Sequence, residues 1–140
     1  MRVLGIDYGR KRIGLARSDE DGVLASPLPV YTRGGRAVDD LDRLVRLIGE
    51  QGVAKIVIGW PLHMNGTEGE MAREVRALAQ ELRARTGLSV EFFDERWTST
   101  QAEDALIAGN VSRHRRRDLR DGLAATLILQ GFLDRERAAE

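Results

Sequence analysis

The chain has no cysteine, so disulfides and thiolate metal sites are excluded and a reducing cytoplasm fits. Its two histidines, His63 and His114, lie far apart, which argues against a histidine zinc site. No apolar run is long enough to span a bilayer, and no apolar signal region opens the chain; neither membrane nor export is expected. Aromatics are few: two tryptophans, two tyrosines and three phenylalanines. Trp60 and Trp97 are therefore better read as packing residues than as a row of base-stacking platforms. Lysine is nearly absent too. Only Lys11 and Lys55 occur, so almost all cations are arginine, the better bidentate binder of phosphate.

Charge balances overall, with 22 basic against 22 acidic residues, but it is unevenly spread. Five arginines fall within "RHRRRDLR", residues 113–120, and three cations sit together at Arg10, Lys11 and Arg12. At 140 residues and 42% hydrophobic, the chain can bury a real core, and one domain over 1–140 is expected.

The first third predicts a β-meander: strands over 2–7, 12–18 and 22–32, separated by "YGRK" and "DEDG" and kinked by Pro27 and Pro29. Val38, Leu41, Leu44, Val45 and Ile48 recur at helical spacing over 37–49. "AKIVIGW" (54–60) is continuously apolar, as a strand covered on both faces must be. A loop, a helix over 70–86 and a strand over 89–93 follow. A short helix is predicted from Thr100, capped by Thr100-x-x-Glu103 and stopped at Gly109-Asn110, then a basic linker and a last helix over 118–135. The order β-β-β-α-β-α-β-α-α implies an α/β fold with a mixed five-stranded sheet flanked by helices.

Acids end the first and last strands (Asp7; Asp94 and Glu95) and open the last helix (Asp118 and Asp121). If the first strand is central and parallel to the fourth and fifth, their carboxyl ends share one edge, where open α/β sheets hold ligands. Asp121 shares a stripe with Ala125, Ile128 and Phe132, with Asp118 one turn earlier. Clustered carboxylates repel unless a hard divalent cation joins them, and Mg²⁺ beside phosphate is the expected choice. Two such ions about 3.5–4 Å apart clamp both oxygens of a phosphodiester displacement. Arg10, Lys11, Arg12, Arg96 and the run Arg113, Arg115, Arg116 and Arg117 could hold the polymer backbone. Each piece has a plainer reading: an Asx turn at Asp7, a helix-dipole acid at Asp118, a solvated arginine face. Because neighbouring strand residues face opposite sides, only one of Asp94 and Glu95 can serve the site.

"GIDYGRKRIGLA", "IVIGWPLHMNGTEG", "FFDERWTS" and "RDGLAATLILQGFL" together resemble the YqgF family, also called RuvX, from Val3 to about Phe132. The resemblance implies an RNase H-like fold akin to the RuvC resolvases and a Mg²⁺- or Mn²⁺-dependent nuclease. Members are associated with maturing the 5′ end of 16S rRNA and with resolving branched DNA. Carried onto this chain, the first-strand acid is Asp7, the "DER" acids are Asp94 and Glu95, and the last-helix acid is Asp121, joined by Asp118. The wider RNase H pattern has an acid ending the fourth strand; this chain has "GWPLHMNG" there. Asn65 in that loop, with Arg96 and Thr98 flanking the "DER" acids, are further candidates for backbone contact.

Three classes of function follow. The first is a cytoplasmic nuclease acting on structured RNA, or on branched DNA as a resolvase, where a homodimer would serve two symmetric cuts. The second is an ATP-handling protein, since "GIDYGRKRIG" also resembles the phosphate loop of the actin and sugar-kinase superfamily. The third is a nucleic-acid-binding module without chemistry.

Overall fold

The computed structural model describes residues 1–61, 69–94 and 113–139, of which 113–121 are described through their backbone alone. Five strands form one sheet in the order β3-β2-β1-β4-β5. They are β1 (Val3–Tyr8), β2 (Arg12–Ser18), β3 (Ala25–Thr32), β4 (Lys55–Trp60) and β5 (Ser89–Asp94). The first three pair antiparallel, whereas β1–β4 and β4–β5 are parallel, so the most apolar strands occupy the centre. β3 begins three residues later than the sequence predicts. Asp19 is the reason: its carboxylate accepts from the Val23 and Leu24 amides and its backbone amide bonds Leu24, tying 19–24 into a turn.

Helices α1 (Ala37–Glu50) and α2 (Glu70–Thr86) cover one face, and α3 (Arg113–Ala138) crosses the other. Strand alternation sorts the core between them. Leu4, Ile6, Ile13, Leu15, Ile56, Ile58 and Val90 meet Leu41, Leu44, Ile48, Val75, Ala79 and Leu82 beneath α1 and α2. Val3, Ala16 and Val57 meet Ala125, Ile128, Leu129, Phe132 and Leu133 beneath α3. α1 ends in a Schellman motif: Gly52 adopts φ +63°, its amide bonds Gly49 and the Val53 amide bonds Ile48.

The last helix starts at Arg113, not at 118, so the arginine run belongs to the helix rather than to a linker. Arginine is a good helix former, and no glycine or proline interrupts 113–121. Asp118 is accordingly the sixth helical residue, too far in for a first-turn dipole acid. The short helix predicted from Thr100 lies outside the described residues.

Candidate active site at the carboxyl edge of the sheet

Asp7 is the penultimate residue of the central strand, half-buried, in register with Gly14 on β2. One residue beyond the Ile6–Ile58 pair, it also stands level with Gly59 on β4. Val3, Gly5 and Asp7 alternate onto the α3 face, so the neighbours of Asp7 on that face are both glycine. A side chain at 14 or 59 would project on that same face, next to the carboxylate. Sequence reasoning missed these two glycines, although a glycine inside a strand pattern signals a close approach.

α3 approaches β1 closely. A Cβ on Gly5 would stand 2.8 Å from Leu129 Cβ and 3.1 Å from the Ala125 carbonyl oxygen. Further along, Lys55 Nζ lies 5.2 Å from the Phe132 ring centre, at the opposite end of β4. The N-terminal part of α3 therefore runs toward the edge that carries Asp7. Positions 121 and 118 fall one and two turns before Ala125.

Asp94 is placed differently. Phe93 packs against the α3 side and Phe92 against the α1–α2 side, so alternation puts Asp94 on the face opposite to Asp7. It pairs in register with Trp60, whose ring stacks at 50° on Phe92, 4.6 Å between centres, with Arg76 5.4 Å from it. Trp60 is a packing residue, as expected. Glu95, Arg96, Thr98, Asn65 and Trp97 lie outside the described residues, and Arg113, Arg115, Arg116, Arg117, Asp118 and Asp121 are placed on α3 by backbone only.

Of the first-turn cations, Arg12 alternates onto the face of Asp7, whereas Arg10 and Lys11 are exposed in the turn. The Gly9 amide bonds Arg12 oxygen at 3.0 Å, and a Cβ on Gly9 would fall 2.4 Å from that oxygen, so only glycine closes this turn. Arg33 then fastens it from outside. Its amide bonds Lys11 oxygen at 2.9 Å, and its Nη1 donates to Gly9 oxygen at 3.0 Å and Arg10 oxygen at 3.3 Å. Its guanidinium covers the Tyr8 ring at 4.7 Å.

Arg33 is held in turn by Asp40, 3% exposed on α1: Arg33 Nε donates to Oδ2 at 2.9 Å and Tyr31 hydroxyl to Oδ1 at 2.8 Å. Burial alone would raise the Asp40 pKa, but these bonds and the Gly34 amide outweigh it and hold the carboxyl below its ordinary range. Tyr8 is pushed up, chiefly by burial and further by Glu74 and Asp40, against the pull of Arg33. This cluster went unread in the sequence. Its signal is an acid on an apolar helical stripe, since Asp40 precedes Leu44 by four and Ile48 by eight.

Among the described residues no three His, Cys, Asp or Glu side chains gather to hold a metal. Asp7, and the carboxylates Glu95, Asp118 and Asp121 that the sequence suggests would join it, are all donors of the kind that hard oxygen-bound cations take.

The architecture is that of the RuvC-like RNase H fold. Thermus thermophilus RuvC, solved in complex with a Holliday junction substrate, superimposes with a TM-score of 0.59 at 18% identity, covering 97% of this chain and 96% of that one. The fowlpox virus Holliday junction resolvase gives 0.57 at 10% identity over 96% and 99%. Within that class the chain belongs to the RuvX family, whose model, described as Holliday junction resolvase, matches residues 1–135. Relatives named "Putative pre-16S rRNA nuclease" include those of Moorella thermoacetica, 47% identical over 96% of both chains, and Geobacillus kaustophilus, 44% identical over 98% of this chain and all of the relative.

Proposed function

We propose that this protein is a metal-dependent endonuclease that hydrolyses phosphodiester bonds in the 5′ region of precursor 16S rRNA, working in the cytoplasm as one RNase H-like domain over 1–140. The observation that carries the reading is Asp7: a carboxylate at the carboxyl end of the central strand, on the face crossed by α3, between two glycines. The RNA substrate is taken from the names of the relatives at 47% and 44% identity.

Asp7, Asp121 and Glu95, with Asp118, are the residues that would hold Mg²⁺ or Mn²⁺. We prefer Glu95 to Asp94 because the alternation that puts Phe93 toward α3 next reaches that face at position 95. When bound, the cation would supply charge stabilisation for the phosphoryl group; water would attack in line and the 3′ oxygen would leave. A carboxylate of the set accepts a hydrogen bond from the attacking water and orients it. Arg12, on the same face, and the arginines of α3 bind phosphate oxygens, with Asn65, Arg96 and Thr98 as further backbone contacts.

A second reading, a resolvase acting as a homodimer on branched DNA, is favoured by the description of the matching family. The chain is incubated with Mg²⁺ or Mn²⁺ and either a structured precursor RNA or a four-way DNA junction, with chelated samples and Asp7→Asn as controls. RNA products that vanish on chelation and fall at least a hundredfold in Asp7→Asn, with binding kept or tightened, are expected. Symmetric junction cuts would replace the first reading with the second. Binding without cutting of either substrate would leave a non-catalytic module.

A further inference from the structure

Beside the β1–β2 turn lies a cavity of about 420 Å³ lined by Arg10, Lys11, Thr32, Arg33 and Gly35. Three of its five lining residues are cationic and none is acidic. Its shape comes from two connections held together: the Gly9–Arg12 turn and the β3–α1 link, joined by the Arg33 amide and guanidinium on the carbonyls of Gly9, Arg10 and Lys11. Gly35, at φ +91°, turns the chain from β3 into α1 in a conformation that a side chain would strain.

The charges here are also available. The Lys11 ammonium has no partner among the described residues. Among the described residues Arg10 makes a single 3.3 Å pair, with Glu70, both side chains more than 60% exposed, which an anion can displace at little cost. Arg33 spends Nε on Asp40 and Nη1 on the turn carbonyls, while its Nη2 bonds nothing among the described residues. Thr32 is the neutral polar residue of the lining.

We propose that this cavity is a subsite for a single phosphate of the substrate backbone, its Arg10 and Lys11 standing three and four residues along the chain from Asp7, which does not line it. Lys11 and Arg10 close on the phosphate as mobile charges, and Arg33 is the rigid wall that presents them. The subsite sets how the strand enters the cleft; it deepens the nuclease reading and rests on it for the identity of the strand.

The first test does not involve cleavage. Inorganic phosphate is titrated into the ¹⁵N-labelled full chain, and amide shifts are followed. Saturable shifts confined to residues 9–12 and 32–35, weakened at least tenfold in Lys11→Gln, are expected. Absent shifts, or shifts that Lys11→Gln leaves unchanged, overturn the subsite. The second test measures binding of a single-stranded RNA against salt concentration in the Asp7→Asn background. Because both cations hold one phosphate, Arg10→Gln/Lys11→Gln should reduce the slope of log affinity on log salt by about 0.7, the value for one phosphate on a single strand. A reduction near twice that would mean two separate phosphates, and no reduction would mean none; either overturns the proposal. Both positions are exposed, so the melting temperature should not change. Intact phosphate binding without cleavage of any substrate would instead count against the nuclease reading alone.

Discussion

Asp40 occupies a position where an acid destabilises a helix packed on a sheet unless it is paired, and its two oxygens are taken by Arg33, Tyr31 and the Gly34 amide. Its pKa lies below the ordinary 3.8, so the sign of its contribution follows. The stabilisation is fully present above the unfolded carboxyl pKa and is lost as pH falls through the lower, folded one. By weakening the charge-assisted bonds to Arg33 and Tyr31, Asp40→Asn should cost on the order of 2–3 kcal/mol at pH 7. That is less than the ~3–5 kcal/mol of a fully buried broken pair, because Arg33 keeps a wetted side. Urea unfolding at a series of pH values checks this: the gap between wild type and variant should close as pH drops below about 4. A gap independent of pH would show that the charge of Asp40 is not what stabilises. Because Arg33 also fastens the β1–β2 turn, the same variant should loosen the chain next to Asp7.

At the scale of elements, the packing that matters most is that of α3 on β1. Gly5 allows the helix backbone to lie against the central strand, and Leu129 Cβ and the Ala125 carbonyl leave no room for a methyl group. Gly5→Ala must push α3 off the sheet, since the obstacle includes helix backbone rather than the end of a flexible side chain. Overpacking of this kind costs about 1–3 kcal/mol. The displacement carries positions 118 and 121 with it, so cleavage by the folded fraction should fall more than the loss of folded protein explains. Thermal melts paired with rates corrected for folded fraction measure this, and a loss of activity matching the unfolded fraction alone would detach α3 from the site. Gly131 makes a similar approach to Phe93, but there the obstacle is a ring that can turn.

For the whole molecule, zero net charge means that nucleic acid is not drawn by a global field. Attraction must come from local cations, and the helical arginine run is the largest cluster of them. Replacing Arg115, Arg116 and Arg117 by Gln should weaken binding of RNA and junction DNA alike and lower the salt slope by about 0.7–0.9 for each phosphate no longer held. Unchanged affinity and slope would make the run a solvated face. Among the described residues, no helix is long and apolar enough to cross a membrane.

Periodicity and punctuation determine most of the architecture before any tertiary interaction forms. The continuous apolar run at 54–60, the 3.6-residue stripes of α1 and α2 and the meander turns are local patterns, and each element follows from residues within it. The family, too, was legible, because four separated motifs survive in a linear reading. Three things were decided only by the folded molecule. Strand register put Asp94 across the sheet from Asp7, since facing depends on counting from a partner strand. Gly14 and Gly59 became neighbours of Asp7 only once β2 and β4 flanked β1. Finally, the Arg33–Asp40–Tyr31 cluster joins a strand, a link and a helix; its parts look like ordinary surface residues until burial removes the water that would otherwise have paired them.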